Sequence, residues 1–200
     1  MWSDPVQQLG RIIIVSGPSG AGKSTVLRRV LATCQLPLEM SVSCTTRPPR
    51  TGEEDGRDYH FVSRQRFAQM RAAGKFLEFK EVFGRGDWYG TPVDKVQEAL
   101  DAGKWVILEI DVQGALSVME KRDDLLSFFI HPGSEEELRK RLINRNTDRP
   151  EAVERRLEVA RDELQQLDRY QFEIVNQDVE QAVKEICSIL EQHALGAEHA

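Results

Sequence analysis

Continuous apolar runs and helix-spaced apolar stripes alternate along the chain. The runs at residues 12–15, 105–110 and 125–130 are almost unbroken by polar side chains. Such runs are typical of strands that are buried on both faces of a parallel sheet. Stripes of apolar residues spaced by three or four positions accompany the runs and predict helices that cover the sheet. The pattern therefore predicts an α/β fold with a mainly parallel sheet flanked by helices.

Several of the predicted helices carry further signals. A stripe that starts at Val26 predicts a helix from about Lys23. Residues 134–137 match a capping box and predict another helix start. Apolar positions across residues 153–167 predict one long amphipathic helix, and those across residues 179–190 predict a closing helix.

Residues 38–90 have a different pattern, in which short segments alternate between apolar and polar positions. Segments 38–42, 59–62 and 76–82 predict strands. Between the last two, Ser63 is a suitable N-cap and Gly74 a suitable end for a helix. This part of the chain is therefore predicted to be a small, mainly β insertion in the core.

A phosphate-binding motif follows the first apolar run. Gly17, Gly22, Lys23 and Ser24 fit the pattern G-x-x-x-x-G-K-[ST], with a strand before it and a helix after it. The free N–H groups at the helix start and the positive end of its dipole favour a polyphosphate. Lys23 would place a cation on the transferring group, and the Ser24 hydroxyl would ligate Mg²⁺.

The motif leaves the reaction open. The alternative interpretation of this segment, a glycine-rich turn that binds nothing, is disfavoured by the strand before it and the helix after it. A phosphate loop contacts only phosphates, so it suits an ATPase, a GTPase, a metabolite kinase or a nucleotide kinase equally well. Other residues must identify the acceptor.

Composition and charge narrow the class of protein. The 200 residues, 40% of them hydrophobic, can form one compact core with inserted segments. A net charge of −6 argues against a general nucleic-acid binder. The three cysteines are widely spaced, which disfavours a disulfide framework or a zinc site. Without a leader pattern or an apolar run near the ~18 residues of a membrane span, we expect a cytoplasmic protein.

Two groups of arginines are candidate phosphate ligands. Arg47 and Arg50, with Tyr59 nearby, could clamp a monophosphate through bidentate hydrogen bonds, or could belong to a solvated loop balanced by acids at residues 53–55. A second group, on or near the helix that begins at the capping box, could contact phosphates or form surface ion pairs such as Glu137 with Arg141. Its members are Arg141, Arg145 and Arg156.

Three acidic residues stand in or at the end of predicted strands. Glu78 interrupts an apolar strand, so it either faces solvent or reads guanine by accepting its N1–H and N2–H groups. Glu109 and Asp111 close the strand at 105–110, where ligands of open parallel sheets bind. Asp111 could hold Mg²⁺, directly or through water, or it could cap a helix.

Six segments, in order along the chain, resemble those of guanylate kinases. The resemblance runs from Gly17 to Asn176, which is most of the chain. The segments are Gly-Pro-Ser-Gly-Ala-Gly-Lys-Ser at 17–24, Ser-Val-Ser-Cys-Thr-Thr-Arg-Pro-Pro-Arg at 41–50, Asp-Tyr-His-Phe-Val at 58–62, Trp-Tyr-Gly-Thr at 88–91, Glu-Ile-Asp-Val-Gln-Gly at 109–114 and Ile-Val-Asn at 174–176.

The resemblance implies a three-part enzyme that phosphorylates GMP, and usually dGMP, from ATP with Mg²⁺. A P-loop NTPase core would comprise residues 1–37, 93–133 and 157–200, with a GMP-binding insertion at 38–92 and a helical lid at 134–156. It implies small-molecule substrates only, without nucleic acid, membrane or an obligate protein partner.

The resemblance also implies roles for individual residues. Lys23 and the three lid arginines, Arg141, Arg145 and Arg156, would be catalytic, and Ser24 with Asp111 would serve the metal. ATP would contact Gly17, Pro18, Ser19, Gly20, Ala21, Gly22, Lys23, Ser24 and Thr25, with Asn176 near the adenine. GMP would contact Ser43, Arg47, Arg50, Tyr59, Glu78, Tyr89, Thr91 and Glu109, of which Ser43 and Glu78 would read the base.

Two other classes compete with this interpretation. Guanylate-kinase-like domains of scaffolding proteins bind peptides and lack a working phosphate loop, whereas this chain keeps Lys23 and Ser24. A P-loop kinase for a sugar phosphate would keep the loop but would not need Ser43 and Glu78 as a base-reading pair.

Overall fold

The computed structural model describes residues 10–82, 86–144 and 150–197. The strands are β1 (Ile12–Ser16), β2 (Leu38–Met40), β3 (Cys44–Thr45), β4 (His60–Phe61), β5 (Phe76–Val82), β6 (Asp87–Pro92), β7 (Trp105–Glu109), β8 (Leu125–His131) and β9 (Phe172–Val175). The helices are α1 (Lys23–Thr33), α2 (Arg64–Ala72), α3 (Val93–Asp101), α4 (Val112–Met119), α5 (Glu135–Asn144), α6 (Pro150–Leu164) and α7 (Val179–Ala197).

A parallel sheet forms the centre of the fold. Within the described residues its five strands lie in the order β2-β7-β1-β8-β9, and each neighbouring pair is parallel. Every residue of β1 and β8 is buried, because both faces of the sheet are covered. The predicted α/β class and the continuous apolar strands are therefore confirmed.

Helices cover both faces of this sheet. On one face, Val26 and Val30 of α1 and Ile186 of α7 pack against the strands. On the other face, Val96 of α3 and Ala115 of α4 pack against the alternate strand residues. The two layers hold β1 rigidly, so the loop that follows it starts from a fixed point.

A smaller sheet lies within the predicted insertion. Its strands have the order β4-β3-β6-β5 and enclose a small core of Cys44, Phe67 and Phe76. The predicted helix α2 is confirmed at both ends. Its N-cap Ser63 accepts a hydrogen bond from the Arg66 N–H at 3.1 Å, and Gly74, with φ of 66°, follows its C-terminus.

Strand β2 is placed differently from the sequence prediction, which started the insertion at residue 38. It pairs in parallel with β7, with Leu38 opposite Trp105, and so belongs to the central sheet. Three alternating residues cannot indicate which sheet a strand joins, because that depends on its pairing partner. The chain leaves the central sheet only after Met40.

Helices α5 and α6 form a separate packed pair. Leu138 and Leu142 of α5 pack on Leu157 of α6, and the Glu137 N–H donates to the predicted N-cap Ser134 at 3.2 Å. The prediction of one helix through residue 167 is wrong, because α6 ends at Leu164 and a short 3-10 turn follows.

The apolar stripe misled this prediction because it serves two clusters. Its first part packs with α5, whereas Leu164 and Leu167 pack against the central sheet. The turn between them redirects the chain towards β9. Among the described residues, no helix has the length and apolar character needed to cross a bilayer.

Candidate active site

The phosphate loop begins where β1 ends at the carboxyl edge of the central sheet. Gly17 has φ of 133°, and a Cβ there would lie 2.0 Å from the carbonyl oxygen of Ile130 in β8. Any side chain at residue 17 would therefore push the loop away from the sheet. Gly22, with φ of 89°, forms the N-cap of α1 in a left-handed conformation that glycine adopts without strain.

Lys23 and Ser24 stand at the first turn of α1. The Lys23 ammonium donates to the carbonyl oxygens of Gly17, at 2.6 Å, and of Pro18, at 3.1 Å. The Ser24 hydroxyl donates to a carboxylate oxygen of Glu109 at 2.6 Å. The second contact follows from the parallel pairing of β1 with β7, which places Glu109 beside the end of β1.

The two strand-end acids have different surroundings. Asp111 is the N-cap of α4: one carboxylate oxygen accepts the Gly114 N–H at 3.0 Å, and the other lies 3.5 Å from the Lys80 ammonium. The alternative that this acid caps a helix is thus realised, and its role at a metal stays a prediction. Glu109 contacts the serine of the phosphate loop, although sequence reasoning placed Glu109 with GMP.

Arg141 of α5 and Asn176, which follows β9, hold the phosphate loop at Ala21. Asn176 is 1% exposed, and its amide nitrogen donates to the Ala21 carbonyl oxygen at 2.7 Å. The Arg141 guanidinium donates to the Asn176 carbonyl at 2.8 Å and, more weakly, to the Ala21 carbonyl at 3.4 Å. In this structure both side chains support the loop backbone.

Two of the three predicted lid arginines, Arg141 and Arg156, lie among the described residues. Arg141 also donates to Glu137 at 2.9 Å, so the surface ion pair that competed with a phosphate role is present as well. Arg156 is half-buried on α6. Arg145 lies outside the described residues.

Arg47 is at the centre of an aromatic and acidic cluster in the insertion. Its Nε donates to the Tyr89 hydroxyl at 3.0 Å, and its guanidinium lies 5.5 Å from the Tyr59 ring centroid. Glu53 accepts two hydrogen bonds from the same guanidinium, each 2.9 Å long. The structure thus brings three predicted phosphate ligands together, while the side chain of Arg50 is exposed beside them.

Glu78 is buried between the insertion and the core, with 8% of the residue exposed. Thr91 donates its hydroxyl hydrogen to the carboxylate at 2.6 Å. Burial raises the pKa of the Glu78 carboxyl, and the hydrogen bond from Thr91 opposes that rise. Ser43 stands directly before β3, which pairs with β6, the strand of Thr91. The predicted base-reading residues Ser43 and Glu78 therefore lie on opposite sides of β6, next to β3 and on β5.

Gly114 at the start of α4 gives Glu78 its space. A Cβ on Gly114 would lie 2.9 Å from the nearer Glu78 carboxylate oxygen. Sequence reasoning did not single out this glycine, because the contact joins residues far apart in sequence. Gly114 ends the segment at 109–114, one of the six that resemble guanylate kinases. Its place in that segment was the signal that could have selected it.

Glu163 of α6 is a further acid that the sequence analysis did not predict. Burial raises the pKa of Glu163 to about 7; the Lys23 ammonium opposes the rise, and the Asp111 carboxylate adds to it. Glu163 occupies a polar position of an amphipathic helix, so the pattern alone gave no reason to select it. Its carboxyl lies within electrostatic range of Lys23 in the phosphate loop.

The phosphate loop, its lysine and the facing Ser24–Glu109 pair lie at the carboxyl edge of a parallel sheet, and the small sheet carries the cluster of predicted phosphate ligands around Arg47. This arrangement defines a P-loop nucleoside monophosphate kinase. The family model for guanylate kinase matches residues 9–193, and the chain belongs to that family.

Individual relatives agree with this assignment. A guanylate kinase of Rhodopirellula baltica is 51% identical over 94% of this chain and 90% of its own length. One of Rubrobacter xylanophilus is 46% identical over 94% of this chain and 97% of its own. The crystal structure of guanylate kinase from Anaplasma phagocytophilum superposes with a TM-score of 0.75 at 36% identity, covering 94% of this chain and 87% of that one.

The space provided by Gly114 can be tested with a single methyl group. We expect Gly114→Ala to displace the Glu78 carboxylate and to raise the KM for GMP about tenfold, with the KM for ATP within about twofold of wild type. The matched control is Gly196→Ala, in a helix where a Cβ meets nothing within 4 Å. Equal GMP kinetics for the two variants would show that the close approach does not matter.

Proposed function

We propose that this protein transfers the γ-phosphoryl group of ATP to GMP, and also to dGMP, yielding ADP and GDP or dGDP. The observation that carries the proposal is the buried Glu78 carboxylate, oriented by Thr91 and placed in the same subdomain as the Arg47 cluster. A site with one carboxylate for a base and one guanidinium cluster for a phosphate suits a purine monophosphate. Membership of the guanylate kinase family supports the same substrate.

Glu78 accounts for base selection in this proposal. A carboxylate accepts both the N1–H and the exocyclic N–H of guanine, whereas it repels the lone pair on N1 of adenine. Because Glu78 is largely removed from water, the repulsion would be weakly screened. Ser43 would contribute a hydroxyl to the recognition of the same base. GMP would thus be preferred over AMP by both attraction and repulsion.

Arg47, Arg50, Tyr59 and Tyr89 would hold the acceptor phosphate. The Tyr59 and Tyr89 rings lie 5.7 Å apart in an edge-to-face arrangement, which limits their rotation and fixes the hydroxyl that Arg47 contacts. These groups provide positive charge and hydrogen-bond donors around one anion. Their role would be to hold an attacking phosphate oxygen in line with the γ-phosphorus of ATP.

Ser24 and Glu109 fit the needs of an Mg²⁺ ion bound with ATP. Their oxygens are hard ligands, already within 2.6 Å of each other at the phosphate loop. The described residues contain no group of three or more His, Cys, Asp or Glu side chains placed to hold a metal. Mg²⁺ commonly completes its coordination with substrate phosphates and water. We propose Ser24 and Glu109 as the protein side of this site, with Asp111, the N-cap of α4, as a further acid.

The chemical step needs no general base. The second pKa of a phosphate monoester is ~6, so an attacking oxygen of GMP is already anionic at neutral pH. As this oxygen bonds to the γ-phosphorus, the bond to the oxygen that bridges the β- and γ-phosphates breaks and ADP leaves. Bound Mg²⁺ supplies neutralisation of charge on the phosphate oxygens. Lys23 would exchange its loop carbonyls for these oxygens.

Water must also be kept out of the active site, because it would otherwise attack the γ-phosphate and hydrolyse ATP. We propose that helices α5 and α6, with Arg141, Arg145 and Arg156, close over ATP as a lid, and that the insertion closes over GMP. The division into a core, an insertion and a lid follows from this proposal, with residues 38–40 assigned to the core. We further propose that the enzyme works in the cytoplasm, where both nucleotides are available.

The proposed reaction can be tested with a panel of acceptors. Incubation with Mg²⁺·ATP and separately GMP, dGMP, IMP, AMP, UMP and ribose phosphates should give ADP together with GDP or dGDP from the guanine nucleotides. Product identification by chromatography distinguishes transfer from ATP hydrolysis. ADP formed only with a sugar phosphate would remove the guanine site, and tight GMP binding without turnover would favour a binding module.

Lys23 provides a test of the phosphoryl-transfer site. We expect Lys23→Met to lower kcat with GMP at least about 100-fold, because the loop loses the cation that faces the transferring group. Lys95→Met is the matched control, since Lys95 is exposed and pairs with Glu98 on α3. Turnover of Lys23→Met within about threefold of wild type would contradict the mechanism.

Glu78 provides a test of base selection. In Glu78→Ala we expect the ratio of kcat/KM for GMP to that for AMP to fall at least about 100-fold, since both the attraction to guanine and the repulsion of adenine are lost. Glu81→Ala on the same strand, at an exposed position, serves as the control. An unchanged ratio would take Glu78 out of the base-reading role.

A further inference from the structure

Glu53 has an unusual relation to the predicted phosphate-binding arginine. Its two carboxylate oxygens each accept one hydrogen bond from Arg47, at 2.9 Å. The pair is well shielded, with side-chain exposures of 11% for Arg47 and 20% for Glu53. A parallel, two-bonded pair of this kind has a defined geometry, unlike a single contact between flexible surface chains.

The hydrogen bonds of Arg47 can be counted. A guanidinium has five N–H groups. In Arg47, Nε–H binds the Tyr89 hydroxyl, the two Nη1 hydrogens bind the Pro48 carbonyl and Glu53, and one Nη2 hydrogen binds Glu53. Four of the five are therefore used within the described part of the chain. The guanidinium stands at a set position, and among the described residues one N–H is left to direct at a ligand.

Glu53 also organises the backbone that carries the second arginine. Its carboxylate accepts the Arg50 N–H at 2.7 Å, and its own N–H donates to the Arg50 carbonyl at 3.0 Å. These bonds close the turn from residue 50 to residue 53. One carboxylate thus links the side chain of Arg47 to the main chain at Arg50, so the relative positions of the two arginines depend on it.

We propose that Glu53 is a positioning residue of the acceptor-phosphate subsite, which holds Arg47 and the Arg50 turn in the arrangement that receives the monophosphate. This inference rests on the proposed function. An arginine side chain loses rotamer entropy when it becomes ordered. Because Glu53 orders Arg47 before a ligand arrives, that cost does not reduce the affinity for the phosphate.

The charge of Glu53 persists over the working pH range. Its hydrogen bonds from Arg47, and then from the Arg50 backbone, lower the pKa of Glu53 to about 2. The alternative is that Glu53 competes with the phosphate for the same N–H groups, so that it must leave before GMP binds. The two possibilities predict opposite effects when the carboxylate is removed.

Equilibrium binding of GMP and of guanosine separates these possibilities. Guanosine keeps the base and lacks the phosphate, so the ratio of its Kd to that of GMP reports the phosphate contribution alone. For Glu53→Gln and Glu53→Ala we expect this ratio to fall about tenfold, with guanosine binding within about twofold of wild type. Glu54→Ala is the matched control, because Glu54 is exposed and pairs with Arg57.

A second background tests whether Glu53 acts through Arg47. Glu53→Gln should lower the ratio by less than about twofold in an Arg47→Lys protein, since lysine cannot form the two-bonded pair. Thermal midpoints and circular dichroism identify any variant that loses the fold. If Glu53→Ala does so, the isosteric Glu53→Gln variant alone is used to judge the proposal.

Several results would overturn the proposal. A ratio that is unchanged in Glu53→Gln would show that Glu53 does not position the phosphate-binding groups, and a higher ratio would favour competition with the phosphate. An equal weakening of guanosine and GMP would indicate a general structural role, and a full effect in the Arg47→Lys background would show an action independent of Arg47. Because binding is measured without turnover, an inactive wild-type protein would contradict the proposed function and still leave this test decisive.

Discussion

The parallel pairing of β1 with β7 and β8 determines the active edge of this molecule. It aligns the carboxyl ends of the strands, so that the phosphate loop after β1 meets Glu109 at the end of β7 and passes the backbone of β8. The 2.0 Å approach that a Cβ at Gly17 would make to Ile130 shows how closely the loop follows the sheet. Two helical layers hold β1 in place, so the phosphate site inherits the rigidity of the core.

The acceptor side relies on a different balance of forces. Burial of Glu78 disfavours its ionised form, and the Thr91 hydrogen bond favours it. A carboxylate kept in this state costs folding free energy, and in the proposed role it would discriminate strongly among nucleobases, because few water molecules screen it. The charge of Arg47, by contrast, is compensated directly by its ion pair with Glu53. The residue proposed to select the nucleobase, Glu78, thus has little charge compensation, whereas Arg47, proposed to bind the phosphate, has a directly paired charge.

Much of this could be predicted from the sequence, and the failures have physical causes. Continuous apolar runs indicate buried parallel strands, and glycine, serine and lysine at fixed spacing indicate a phosphate loop, because both depend on local chemistry. The sheet that β2 joins, the end of α6 and the Ser24–Glu109 contact depend on how distant segments meet. The roles of Glu53 and Gly114 belong to the same group, since neither residue type is distinctive until its neighbour is known.

The shared hydrogen bonds at Ala21 have a consequence for cooperativity between the nucleotide and α5. Asn176, next to β9, and Arg141, on α5, both donate to the carbonyl of Ala21. A change in the loop that strengthens these bonds favours the docked position of α5, and docking of α5 stabilises that state of the loop. By thermodynamic reciprocity, the free energy by which a bound polyphosphate shifts α5 equals the free energy by which a docked α5 improves polyphosphate affinity. The Ala21 carbonyl therefore couples the affinity for a polyphosphate to the position of α5.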